Sequence, residues 1–329
     1  MKITTLFIIS YITVLLTTIG CGNKNESKSE SLTEQEITSD DLAIEEETIE
    51  INGVNHYIKK IGNGEPILVL HGGPGMFHNY LTPHFEKLAQ DYQIIFYDQR
   101  GCGKTDFPQD TTTISTENFV EDLESIRAHL KIEKLNLAGH SWGAALAIEY
   151  GKKYPLLLNK LILISPSPST SEYYDQMFKN IQNKRTEDDM KELVKLMSSK
   201  EFENREPSTF LKAICIENKV NLANKNTVDE LYNSMSFTST TANNFLLVNS
   251  LMEKNFFDYN ITEGIETITC PTLIIVGDLD NVPFASHQKL QESLNARIEV
   301  LKPASHYPFF ETPKEFNAAV KSFITPEYE

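Results

Sequence analysis

The chain has 329 residues, 40% of them apolar and 23% charged, and a formal net charge of −16 at pH 7. That make-up suits an ordinary folded protein with one large core, and a strongly negative balance without a lysine- or arginine-rich stripe argues against nucleic acid or an anionic membrane surface as partner. Beyond Cys21 only Cys102, Cys215 and Cys270 remain; an odd number without metal-ligand spacing predicts neither a disulfide framework nor a metal site.

In chain order, Met1-Lys2 is followed by an apolar run from Leu6 to Ile19 and then by Gly20-Cys21. A positive start, an apolar stretch too short to span a bilayer comfortably and a small residue before a cut are the parts of a secretory signal. The stretch Leu15-Leu16-Thr17-Thr18-Ile19-Gly20-Cys21 resembles a bacterial lipoprotein signal peptide, with Thr18 standing where such signals usually carry leucine. The resemblance implies that residues 1–20 are removed, that Cys21 is lipidated, and that the exported protein meets a bacterial membrane only through this anchor. Residues 21–47 read as an acidic, flexible tether, because their Ser, Thr, Glu and Asp cannot build a core.

From residue 48 the pattern changes. Glu47-Thr48-Ile49-Glu50-Ile51 alternates polar and apolar, Asn52-Gly53 is a turn signal, and His56 to Ile61 resumes the alternation, which predicts a β-hairpin. Four short apolar runs follow, at 66–70, 93–97, 135–138 and 161–164, and read as strands buried on both faces. Between them lie residues at helical spacing, Phe119, Leu123, Ile126 and Leu130, and a second set from Ala144 to Tyr150. Alternating strands and helices predict an α/β fold, a mostly parallel central sheet flanked by helices. The alternation stops at Pro166. Residues 167–262 are polar and helix-like, and strands resume at Pro271 to Val276, followed by a helix near 286–293, a strand at 298–301 and a last helix at 313–324. We therefore read 167–262 as a helical cap inserted into a core made of 48–166 and 263–329, at an edge where insertions commonly cover a site.

Gly139-His140-Ser141-Trp142-Gly143 follows the third of those strands and precedes a helix, the context of a strained turn that exposes a nucleophilic serine. A serine hydroxyl needs a base, and the base needs a carboxylate to fix its tautomer. In this kind of sheet both come later, acid first, each on a loop after a strand. His287 falls within a predicted helix, whereas His306 follows the last strand and fits the base. The acid is Asp278 or Asp280, both in Gly277-Asp278-Leu279-Asp280 at the end of a buried strand. Backbone N–H donors for a developing oxyanion are expected from Trp142 and from His71-Gly72-Gly73-Pro74-Gly75, with Gly73 the first candidate and Gly72 the second.

His71 to Gly75, Tyr97-Asp98-Gln99-Arg100-Gly101-Cys102-Gly103, Gly139 to Gly143, Gly277 to Asp280 and His306 together resemble an α/β-hydrolase of the proline iminopeptidase group, over roughly residues 48–325. The resemblance implies Asp280 as the acid, an acyl-enzyme, no cofactor, and release of an N-terminal residue, often proline, from short peptides. It also implies cap glutamates that hold the substrate's free amine, for which Glu253 is the best match and Glu217 the second. One position departs: the family often has glycine where this chain has His140, a residue shared with the wider hydrolase set. A carboxylesterase or lactone hydrolase with the same triad is therefore the alternative. Dehalogenases and epoxide hydrolases of this fold use an aspartate nucleophile and are disfavoured by Ser141. The expected partner is a small molecule or short peptide.

Overall fold

The structure is a computed structural model that describes residues 42–253 and 259–325. The signal-like segment, Cys21 and most of the tether lie outside the described residues. Strands β1 (Ile44–Ile51) and β2 (Val54–Ile61) form the hairpin, with Asn52 and Gly53 at φ 50° and 74°, the left-handed pair that a two-residue hairpin turn requires. β1 starts at Ile44, so the tether ends earlier than composition suggested. Its acidic first residues are held by lysines: Lys60 bonds Glu47 at 2.9 Å, while Lys59 and Lys104 lie 3.6 and 3.3 Å from Glu46. Opposite charges across an edge pair stabilise a strand that would otherwise repel itself.

The core continues with β3 (Glu65–Leu70), the short α1 (Thr82–Phe85), β4 (Tyr92–Tyr97), α2 (Thr116–His129), β5 (Leu135–His140), α3 (Trp142–Lys153) and β6 (Leu158–Ile164). The cap follows as α4 (Ser171–Lys184), α5 (Glu187–Met197), α6 (Lys200–Glu203), α7 (Pro207–Asn218), α8 (Val228–Leu231) and α9 (Ser239–Met252). The chain then returns to the core with β7 (Thr272–Gly277), α10 (Phe284–Leu294), β8 (Arg297–Leu301), α11 (Pro308–Glu311) and α12 (Pro313–Ile324). The cap is tied at its neck, where the outgoing and returning chains cross: Ser171 N–H donates to Tyr259 O at 2.8 Å and Ile261 N–H to Ser169 O at 3.0 Å.

The eight strands lie in the order β1-β2-β4-β3-β5-β6-β7-β8, the first two pairings antiparallel and the rest parallel. Ile67 to Leu70 of β3, Leu137 of β5 and Ile274 of β7 are buried, as strands covered on both faces must be. From β3 the chain winds first to β4 on one side and then to β5 on the other. The ends of neighbouring strands at such a reversal open a crevice, so the loop after β3 and the turn after β5 face the same space. Cys102 and Cys215 are buried and Cys270 is half-buried, all three as free thiols. Among the described residues no helix is long and apolar enough to cross a membrane.

Candidate active site

β5 ends at His140 and α3 begins at Trp142, so Ser141 alone turns the chain, at φ 55° and ψ −116°. Few non-glycine residues hold such angles, and here the surroundings over-determine them. Ser141 N–H donates to Ile164 O at 3.0 Å, and Ser141 O accepts from Ala144 N–H at 3.0 Å and Ser167 N–H at 3.2 Å. The flanking glycines are sterically required. A Cβ on Gly139 would overlap the Gly143 carbonyl, and one on Gly143 would overlap the Leu70 carbonyl.

Asp280 follows β7 and His306 follows β8, and the two loops bring both to Ser141. His306 Nε2 is 3.0 Å from Ser141 Oγ, while Nδ1 is 3.1 Å from each carboxylate oxygen of Asp280. A carboxylate only accepts, so Nδ1 carries the proton and Nε2 offers its lone pair to the serine. Burial alone would raise the Asp280 pKa. The attraction and hydrogen bond of His306, the nearby His287 and the Val282 N–H at 3.0 Å outweigh it, holding the carboxyl well below its usual range. Asp278, the other candidate acid, is exposed and accepts instead from Ala304 N–H at 3.2 Å.

The main chain around the base is fixed from several sides. His306 N–H donates to Asn221 O of the cap at 3.0 Å, and Ser305 Oγ donates to Leu279 O at 3.0 Å. Glu311 accepts from Ser305 N–H at 2.7 Å and from Ala223 N–H of the cap at 2.6 Å, although burial raises its pKa. The sequence reading missed Glu311; its signal was a glutamate shortly after the base, directly before Thr312-Pro313.

The loop after β3 corrects one expectation. Gly72 N–H is already spent on Tyr80 Oη at 2.7 Å, so Gly72 is not available as an oxyanion donor. Gly73, at φ 126°, makes no backbone N–H hydrogen bond among the described residues, and Trp142, the residue after Ser141, opens α3. Gln99 ties the start of the loop after β3 to Trp142. Its Nε2 donates to His71 O at 2.8 Å, its backbone N–H to His71 Nε2 at 3.0 Å, and its Oε1 accepts from Trp142 Nε1 at 3.1 Å.

The cap meets the same loop. Asn249 Nδ2 on α9 donates to Pro74 O at 2.7 Å, and Glu253, the C-cap of α9, stands one turn further on the same side. Glu217 is committed elsewhere: Arg185 Nη2 lies 2.7 Å from its Oε1, so an arginine already neutralises it. Among the described residues no group of three or more His, Cys, Asp and Glu side chains is arranged to hold a metal ion.

A sheet of this order carrying a serine on the turn after β5, with an acid and a histidine after β7 and β8, defines the class of protein. The chain belongs to the alpha/beta hydrolase fold family, whose model matches residues 65–313. Within it the chain is similar to the proline iminopeptidase of Heyndrickxia coagulans, 31% identical over 80% of this chain and 91% of that one. It is also similar to that of Saccharolobus solfataricus, 29% identical over 87% and 94%. The crystal structure of a Mycobacterium smegmatis proline iminopeptidase superposes with a TM-score of 0.64 at 22% identity, covering 85% of this chain and 97% of that one. An esterase of Exiguobacterium antarcticum superposes nearly as well, with a TM-score of 0.60 at 22% identity over 83% and 97%, so shape alone does not separate peptide from ester chemistry.

Proposed function

We infer that the protein is a serine aminopeptidase of the proline iminopeptidase type, releasing N-terminal residues from short peptides through an acyl-enzyme. The observation that carries this reading is the unbroken chain Asp280, His306, Ser141, at 3.1 and 3.0 Å, beside the glycine loop after β3. Sequence similarity to proline iminopeptidases along most of the chain supports the substrate class.

In the reaction, Ser141 Oγ attacks the scissile carbonyl as its proton passes to His306 Nε2. Asp280 keeps the imidazole in the required tautomer and stabilises the imidazolium. The backbone N–H groups of Gly73 and Trp142 receive the developing oxyanion, fixed donors that need no reorganisation. His306 then gives the proton to the leaving amine. A water, deprotonated by the same nitrogen, cleaves the acyl-enzyme and restores Ser141.

Glu253 is the residue we assign to the substrate's free ammonium. The reading is supported by Asn249, one turn earlier on α9, which bonds Pro74 O of the loop that carries Gly73. Glu217 ranks behind it because its carboxylate is already paired with Arg185. The test compares a prolyl arylamide with its N-acetylated counterpart. An aminopeptidase cleaves only the free amine; equal turnover of both would exclude an amine anchor and favour the esterase alternative. We further propose that the chain is held at a bacterial membrane by a lipid on Cys21, on the strength of its N-terminal sequence alone.

A further inference from the structure

His140 precedes the nucleophile, at the position where the proline iminopeptidase pattern often has glycine. Its imidazole is 2% exposed and packs among the rings of His306, Tyr307, Phe309 and Tyr80, with centroids 5.0, 5.3, 5.1 and 5.6 Å away. Both ring nitrogens are hydrogen bonded: Nε2 lies 2.9 Å from His306 O and Nδ1 lies 2.7 Å from Tyr80 Oη. The directions of these bonds follow from the partners. A carbonyl only accepts, so Nε2 carries the proton. The neutral ring then has a lone pair on Nδ1, and Tyr80 must donate its hydroxyl hydrogen to it. That leaves the Tyr80 oxygen free to accept, and Gly72 N–H points at it from 2.7 Å.

The geometry points to a one-way relay, from Gly72 N–H through Tyr80 and His140 to the carbonyl of His306, that fixes the oxyanion loop and the base loop against each other and makes Tyr80 and His140 positioning residues for catalysis. Each of the three links uses groups that would otherwise be buried without a partner, so no alternative arrangement satisfies them all. The relay reaches the main chain of the base rather than its ring, which leaves Nε2 and Nδ1 of His306 for Ser141 and Asp280. It also consumes the Gly72 N–H, and so selects Gly73 as the donor on that loop. Burial, then repulsion by His306, push the His140 pKa down to about 3, so the ring stays neutral and keeps its direction when His306 becomes an imidazolium.

The inference uses the aminopeptidase reading only to choose a substrate, and the test separates the two. Tyr80→Phe and His140→Ala, singly and together, are assayed on a prolyl arylamide and on a p-nitrophenyl ester, with kcat and KM resolved and folding checked by thermal melts. For each substrate that the wild type turns over, we expect kcat to fall about tenfold to hundredfold in each single variant with KM within about twofold. The double variant should be no slower than the slower single one, because a relay broken twice is still one broken relay. His140→Gln, which presents one donor and one acceptor, should recover part of the loss. Folded single variants within about threefold of wild type, or single effects that multiply in the double variant, would overturn the relay. Tyr80→Phe is nearly isosteric and carries the test alone if His140→Ala does not fold. A wild type that turns over the ester but not the arylamide sinks the aminopeptidase reading, while its ester kinetics still decide the relay.

Discussion

Lowering the pH from about 7.5 to about 5.5 should destabilise the fold through histidines that are buried in their neutral form. His71, His140 and His287 are 1, 2 and 1% exposed. Burial pushes their pKa values down to about 4, 3 and 4, against about 6.5 in an unfolded chain. Between those limits the unfolded state binds protons that the folded state refuses, so stability is complete above the unfolded value and falls as the pH drops toward the folded one. At pH about 5.5 each histidine costs about 1.4 kcal/mol, and the three together about 4 kcal/mol. With ~280 described residues the melting entropy is about 0.6 kcal/mol/K, so these three lower the midpoint by about 7 °C, and His84, which burial also pushes down to about 4, adds about 2 °C. Thermal melts followed by circular dichroism at the two pH values measure this span. In His287→Gln the span should shrink by about 2 °C whatever that variant's own midpoint, since one of four similar contributions is gone. A wild-type span under about 2 °C, or an unchanged span in the variant, would refute the assignment of these rings as buried and neutral.

Two further outcomes follow from the same geometry, and a third from the N-terminal sequence. Asp280→Asn should fold normally yet lose about 10⁴-fold in kcat, because an amide no longer dictates which nitrogen of His306 carries the proton; circular dichroism and steady-state kinetics together check it. Gly143→Ala should cost about 3 kcal/mol or more or abolish soluble expression, since the new methyl group meets the Leu70 and His71 carbonyls; denaturant melts read the loss. Cys21→Ser should move the protein from the membrane to the soluble fraction on cell fractionation, and continued tight membrane association would argue against a lipid anchor.

The core of the fold was legible because each central strand is a short apolar run ending in a loop that carries chemistry. His306 could be found by position alone, as the histidine after the last strand. Asp280 could not be told from Asp278 by residue type; the structure distinguishes them because one faces His306 and the other the Ala304 N–H. Contacts between distant segments were the ones that escaped. Gly72 loses its donor to Tyr80, Glu217 is paired with Arg185, and β1 begins early because Lys59, Lys60 and Lys104 receive its glutamates. Each depends on a partner that local composition and periodicity do not announce. His140 is the sharper case, since its departure from the family pattern suggested a change of substrate and the structure instead gives it two fixed partners beside the triad.

The most direct test of the account is turnover of prolyl and alanyl arylamides, with a p-nitrophenyl ester alongside, by the purified wild type and by Ser141→Ala. The account predicts that the wild type cleaves the arylamides, that Ser141→Ala reduces this by at least about 10⁴-fold while remaining folded, and that only the wild type is labelled by a fluorophosphonate. Arylamide cleavage that survives loss of the Ser141 hydroxyl, or a wild type that hydrolyses the ester alone, would contradict it.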